Sequence, residues 1–380
     1  MNNIVFNNKI GNPSSVGYPK LTKDDEENII AGLFEQLLIF DKVSITTNRV
    51  NFALAFLISK LGINTVERLF ELDYIKILLW TPVIVSGNGR QKEDGTIDQS
   101  VIYGQPPIVA GALGDKDLDP EENINNAIAP FNFHRDRRRI FTRRAAKNYI
   151  IPNGMEFSTD SAKVVIDAYE NNNLSGLGLP FEKESNQLDF EQRQQLLGLG
   201  NKVLETAILS KYGYKSFDNY EHVKICQQNL DNIGKAYNVA EGTSSILNLE
   251  NLPDLKSLFI NEKLKFDDIF TLRHLSNAKY YRKWINGIAE DSNAEEITKE
   301  YINQIKGTSK FFNSGGGKFV RNVGMFGVGT ALGAALAGPV GAAAGFGLGL
   351  LDTFVLDGLL IGKNPSMFVD ELKNKIENEE

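Results

Sequence analysis

Seven basic residues crowd one short stretch: Arg135, Arg137, Arg138, Arg139, Arg143, Arg144 and Lys147, with Asp136 as the single acid, a local net of +6. The chain as a whole carries 41 Lys and Arg against 48 Asp and Glu, a net of −7, so this cluster is a sharp local exception. Guanidinium groups pair with phosphate and carboxylate oxygens, and charge concentrated this way attracts phosphates, acidic lipid or an acidic protein face. Wound as a helix, Arg137, Arg138 and Arg144 cannot share one narrow face, whereas Ile140, Phe141 and Ala145 can turn toward a core. The pattern predicts a cationic face on a packed helix. Were the partner nucleic acid, Phe131, Phe133 or Tyr149 would supply stacking surfaces. The plain alternative is a solvated face that forms salt bridges within the chain.

Other candidate chemistry fails on its spacing. The Asn313-Ser314-Gly315-Gly316-Gly317-Lys318 run imitates a phosphate loop but lacks the upstream glycine, and Phe319 replaces the Ser or Thr that would hold magnesium. The Gly87-Asn88-Gly89 turn lacks the further glycine of a dinucleotide site. Asp115, Asp117 and Asp119 open like a calcium loop, but Pro120 stands where glycine must turn the chain and Asn126 where the bidentate glutamate belongs. An acidic turn feeding Pro120 into a helix is the better reading. Cys226 is the only cysteine, and the three histidines, His134, His222 and His274, are scattered. Disulfides within the chain and Cys-rich metal sites are excluded, and no metal or cofactor is expected. Cys226 and His222 stand four apart and could share a helix face, although a buried, inert thiol is the simpler expectation. No Gly-x-Ser-x-Gly elbow is present, and no catalytic residue or reaction can be assigned.

A second unusual segment lies near the carboxyl end. No charged residue occurs over the 30 positions from Asn322 to Leu351. Within them Gly329, Gly333, Ala337, Gly341, Gly345 and Gly349 recur at every fourth position, the spacing of a small-residue stripe that lets helices approach closely. As one helix this stretch would be about 45 Å long, enough for a hydrocarbon core. Gly338-Pro339 favours a break and hence a hairpin, with arms reaching Lys318 and Leu360. Asp352 and Asp357 limit a second lipid-exposed span. This zipper carries the leading functional expectation: a cytoplasmic, regulated, membrane-interacting protein that associates with itself and with lipid on activation. A pore-forming or cell-death effector of the kind used in bacterial antiviral defence is the form that expectation takes. The alternative is a soluble regulatory or nucleic-acid- or anion-binding protein that uses the basic helix.

The elements that must position these groups follow from periodicity. At 380 residues, 42% hydrophobic and 23% charged, the chain has the composition of a folded protein with more than one structural unit. Residues 24–40, 50–61 and 65–72 read as helices, and 37–45 and 74–85 carry strand character, the latter pairing with 101–103 and 108–110 across a polar hairpin. Helices dominate from 119 onward, over 120–128, 135–149, 160–171, 189–212, 222–239, 252–259 and 266–288. Residues 171–187 read as a linker. In the last of these helices Arg273 and Arg282, spaced with Tyr280, Tyr281 and Trp284, are expected to reach buried acids or carbonyls. The fold class is therefore mainly α with a small α/β N-terminal unit and a C-terminal glycine-zipper helical hairpin. Its divisions are a flexible leader over 1–22, the α/β unit over 23–115, a helical domain over 116–312, the hairpin over 313–363 and a terminal helix over 364–380. No basic-then-apolar leader, repeat period or sustained heptad is expected.

Overall fold

The computed structural model describes residues 3–10, 21–47, 50–79, 83–85, 90–91, 97–98, 108–110, 118–151, 156–177, 188–219, 244–288, 320–328 and 366–379, with single positions at 179, 231, 234 and 332. The described chain is mostly α-helical, with an N-terminal four-stranded parallel sheet flanked by helices. Strands β1 (Ile4–Asn7), β2 (Lys42–Thr47), β3 (Ile75–Leu79) and β8 (Tyr149–Ile150) lie in the order β1-β2-β3-β8. The register sets Val5 beside Val43, Ile45 beside Ile77 and Ile77 beside Tyr149.

Helices lie in each connection between the parallel strands, among the described residues. Helix α1 (Lys23–Ile39) starts at a capping box: Thr22 Oγ1 accepts the Asp25 amide while the Asp25 carboxylate accepts the Thr22 amide. Helices α2 (Phe52–Leu61) and α3 (Ile63–Glu71) join β2 to β3, and α4 (Pro120–Ile128) and α5 (Arg135–Ala146) lead into β8. Val43, Ile45, Ile75 and Ile77 are fully buried among Leu33, Phe34, Leu37, Leu54, Leu69 and Phe141. Their alternation with Ser44 and Thr46 is the two-residue period of a strand.

Several sequence readings change here. Ile4–Asn7, within the segment read as a leader, is a sheet strand, and the backbone of Lys215 closes its outer edge: Phe6 N donates to Lys215 O at 2.8 Å and Lys215 N to Ile4 O at 2.9 Å. The apolar run 74–85 is two strands. Its second half, β4 (Val83–Val85), pairs antiparallel with β7 (Ile108–Ala110) in a separate two-stranded sheet, and β5 (Arg90–Gln91) pairs with β6 (Ile97–Asp98). Residues 101–103 lie outside the described residues.

Helix α6 (Glu156–Glu170) packs on α7 (Phe190–Tyr212), which opens with an Asp189/Gln192 capping box and closes on Gly213 at φ 61°, a left-handed conformation suited to glycine. A second, antiparallel sheet has the order β10-β11-β9, formed by β9 (Ser216–Asn219), β10 (Ser244–Pro253) and β11 (Val320–Val328). Further helices among the described residues are α8 (Leu255–Ile260), α9 (Ile269–Leu272), α10 (Ser276–Ile288) and α11 (Ser366–Glu379). The span 266–288, read as one helix, is thus interrupted at 273–275, and part of 252–259 is strand. The span 222–239 lies outside the described residues apart from two isolated positions.

The C-terminal helical hairpin is corrected at its first arm. Val320–Val328 does not open a helix from Lys318: it is the central strand of the antiparallel sheet, with Ile246 beside Phe326 and Phe217 beside Met325. A run of Val, Gly, Met and Phe satisfies either geometry locally, and the partner strands decide. Gly329, Gly333, Ala337, Gly341, Gly345 and Gly349 all lie outside the described residues.

Candidate anion-binding groove

Helix α4 is started by Asp119, whose Oδ1 accepts the Glu121 amide at 2.8 Å, with Pro120 in the first turn. This is the capped acidic turn expected in place of a calcium loop; Asp115 and Asp117 lie outside the described residues, among which no group of three or more metal-ligating side chains is found. The chain then turns through 129–134, where the rings of Phe131 and Phe133 stack with centroids 5.5 Å apart and planes inclined by 15°. Helix α5 follows, its first turn capped by His134 Nδ1, which accepts the Asp136 amide at 3.4 Å.

The buried side of α5 is Phe141, Thr142 and Ala145, with Phe141 edge-on to Phe70 at 6.1 Å. Ile140, expected to face the core, is instead 44% exposed, because it sits one residue away from that stripe. The seven basic residues then divide according to what surrounds them. Arg137 donates from Nη1 to Glu67 Oε2 at 2.5 Å and from Nη2 to Asn64 Oδ1 at 2.7 Å. Arg144, two turns on, reaches Glu67 Oε1 at 3.0 Å and Glu71 Oε1 at 2.6 Å. Glu67 is buried, so its carboxylate is held between two guanidinium groups and fastens α3 to α5. Arg137 and Arg144 therefore serve the fold, as the plain reading of the cluster anticipated.

Arg135, Arg138, Arg139 and Arg143 face the other way. They line a groove of about 520 Å³ between α4 and α5, together with Glu121, Asn125, Phe133 and Thr142. No carboxylate among the described residues lies within ion-pair distance of these four guanidinium groups. Four cations and the one Glu121 carboxylate leave the groove lining at a net +3. Arg135, Arg139 and Arg143 stand at i, i+4 and i+8, so successive groups along the helix are separated by about 6 Å. Thr142 Oγ1 lies 3.4 Å from Asn125 Oδ1, placing a hydroxyl and an amide on the floor between the two helices. Lys147 follows α5 as an exposed cap and is not part of the lining.

Of the three aromatic groups anticipated for stacking, Phe133 lines the groove and Phe131 backs it. Tyr149 does not take part. Its hydroxyl accepts from Asn51 Nδ2 at 2.6 Å and donates to Asn123 Oδ1 at 3.0 Å, and burial pushes its pKa above the usual phenol range against the pull of Asn51. This chain of polar groups fixes Asn51 in a left-handed conformation (φ 52°), where Oδ1 caps α2 by accepting the Leu54 amide at 3.1 Å.

Sequence reasoning missed the residues supplied by neighbouring helices. Glu67 had a signal: a carboxylate among Val66, Leu69 and Phe70 on an apolar helix face requires a cationic partner. Glu121, Asn125 and Thr142 had none, since each is an ordinary helix residue until α4 and α5 are set side by side. Cys226 and His222 lie outside the described residues.

The expectation of a membrane-interacting, pore-forming effector is overturned. No helix among the described residues is long and apolar enough to cross a membrane, and the start of the arm that carried the expectation is a sheet strand. At a coarse level, fold and groove define a mostly α-helical protein with an N-terminal parallel sheet and a cationic cleft between two helices. Comparison with known protein families, with curated proteins and with solved structures finds no match for this chain.

Proposed function

We propose that the protein is a binding or regulatory protein that captures a phosphate-bearing partner in the groove between α4 and α5. The observation that carries this reading is the division of the basic cluster: Glu67 engages Arg137 and Arg144, while Arg135, Arg138, Arg139 and Arg143 converge on one concave surface without an acidic partner among the described residues. Cations gathered without internal pairing raise the local concentration of anions, and planar guanidinium forks favour phosphate oxygens. Asn125 and Thr142 add neutral polar groups to the same floor.

Binding of fluorescently labelled inorganic polyphosphate tests the reading. Wild-type protein is expected to bind with an affinity that falls as salt rises. Replacing both Arg139 and Arg143 with Gln should weaken binding about 10- to 100-fold, the loss of two charge-assisted contacts, while Lys147→Gln has little effect. Equal weakening by Lys147→Gln, or none by the double substitution, would place any attraction outside the groove.

A further inference from the structure

Resting on that reading, we infer that the phosphate-bearing partner is single-stranded nucleic acid. Three features of the groove narrow the ligand class. Arg135, Arg139 and Arg143 make a column two turns long, about 12 Å from first to last by helix rise, which matches a chain of phosphates better than a single one. Phe133 lines the groove together with Arg135, the first residue of that column, and its ring stacks on Phe131. An aromatic face beside a row of cations is the pairing that binds an unstacked base together with its backbone. The Glu121 carboxylate in the same lining can accept a hydrogen bond from a base N–H, such as the thymine imide, which polyphosphate cannot offer.

The concave shape argues against duplex. A double helix carries its phosphates on a convex surface and keeps its base faces stacked, so it would meet the rim of the groove and leave Phe133 without a partner. A single strand can follow the column while one base lies against the ring. Sequence preference should be weak, because every base offers a π-face.

The test compares four probes on the full chain: an oligothymidylate of about 12 nucleotides, its duplex with oligoadenylate, thymidine triphosphate and inorganic polyphosphate. The single strand is expected to bind most tightly, with a slope of log K against log salt of about −2 to −3 for three or four phosphate contacts. Phe133→Leu keeps an apolar side chain against Phe131 but removes the π-face. It should weaken the single strand roughly 5- to 100-fold and leave polyphosphate unchanged. Phe133→Tyr should restore single-strand binding, which a role in packing alone would not require. Polyphosphate binding equal to or tighter than the single strand, with no effect of Phe133→Leu, would overturn the nucleic-acid assignment and leave the anion-binding groove standing. Preference for duplex or for the mononucleotide would also overturn it. Failure of all four probes to bind would remove the underlying reading as well.

Discussion

Glu67 shows how a single buried carboxylate decides what a basic cluster can do. It is 7% exposed and holds Arg137 and Arg144 on the side of α5 that faces α3, which turns the remaining arginines toward α4. Glu67→Gln removes the charge but keeps the shape, and should destabilise the fold by about 1–3 kcal/mol in urea unfolding, with polyphosphate affinity at low denaturant little changed. A second carboxyl is set by burial. Glu205, on α7, accepts from Asn8 Nδ2 at 2.9 Å; burial pushes its pKa up to about 7, against the opposing pull of Asn8, Lys202 and Lys9. Its ordinary value is 4.5, so between the two values the folded chain retains a proton that the unfolded chain has lost. Stability contributed by this group is therefore present below the lower value and declines as pH rises toward the upper one. Unfolding free energy measured near pH 5 and near pH 8 should fall across that window in the wild type, and the fall should be smaller in Glu205→Gln. An identical decline in both proteins would assign the pH dependence to other groups.

At the scale of elements, the docking of α9 and α10 on the parallel sheet depends on one arginine. Arg273 donates from Nη1 to Phe40 O and from Nη2 to Asp41 O, each at 2.8 Å, and its guanidinium lies 4.0 Å from the centre of the Tyr74 ring. Arg282 in turn donates to Arg273 O at 2.9 Å and lies 3.9 Å from the Asp41 carboxylate. The expectation that these arginines reach carbonyls holds, while the acid beside Arg282, Asp41, is only partly buried. Arg273→Lys loses the two-pronged contact with adjacent carbonyls and should cost about 2–4 kcal/mol, read as a lowered urea midpoint. The helices α1, α4 and α7 were legible because periodicity and a cap agree: Thr22, Asp119 and Asp189 each stand at the start of an apolar-periodic run. Strand β1 was not, since Ile4-Val5-Phe6 sits in an Asn-rich stretch and becomes a strand only by pairing with β2 across the whole of α1. Strand β11 was concealed in the same way, because its partners β10 and β9 lie far upstream in the chain.

For the molecule as a whole, the basic cluster was visible in sequence as charge, but its direction was not. Seven cations at irregular spacing are compatible with several faces of a helix; the choice is made by Glu67 on α3 and by Glu121 and Asn125 on α4, which only the packed structure brings near. The apolar run ahead of the glycine stripe shows the converse. Its composition suits a helix or a strand, and at Val320–Val328 sheet pairing prevails. On the proposed function, anions are bound where α4 and α5 meet. Hydrogen exchange of backbone amides with and without inorganic polyphosphate measures this directly. Slowed exchange confined to Pro120–Ile128, the 129–134 turn and Arg135–Ala146 is the predicted result. Protection appearing on other elements, with α4 and α5 unchanged at saturating polyphosphate, would contradict it.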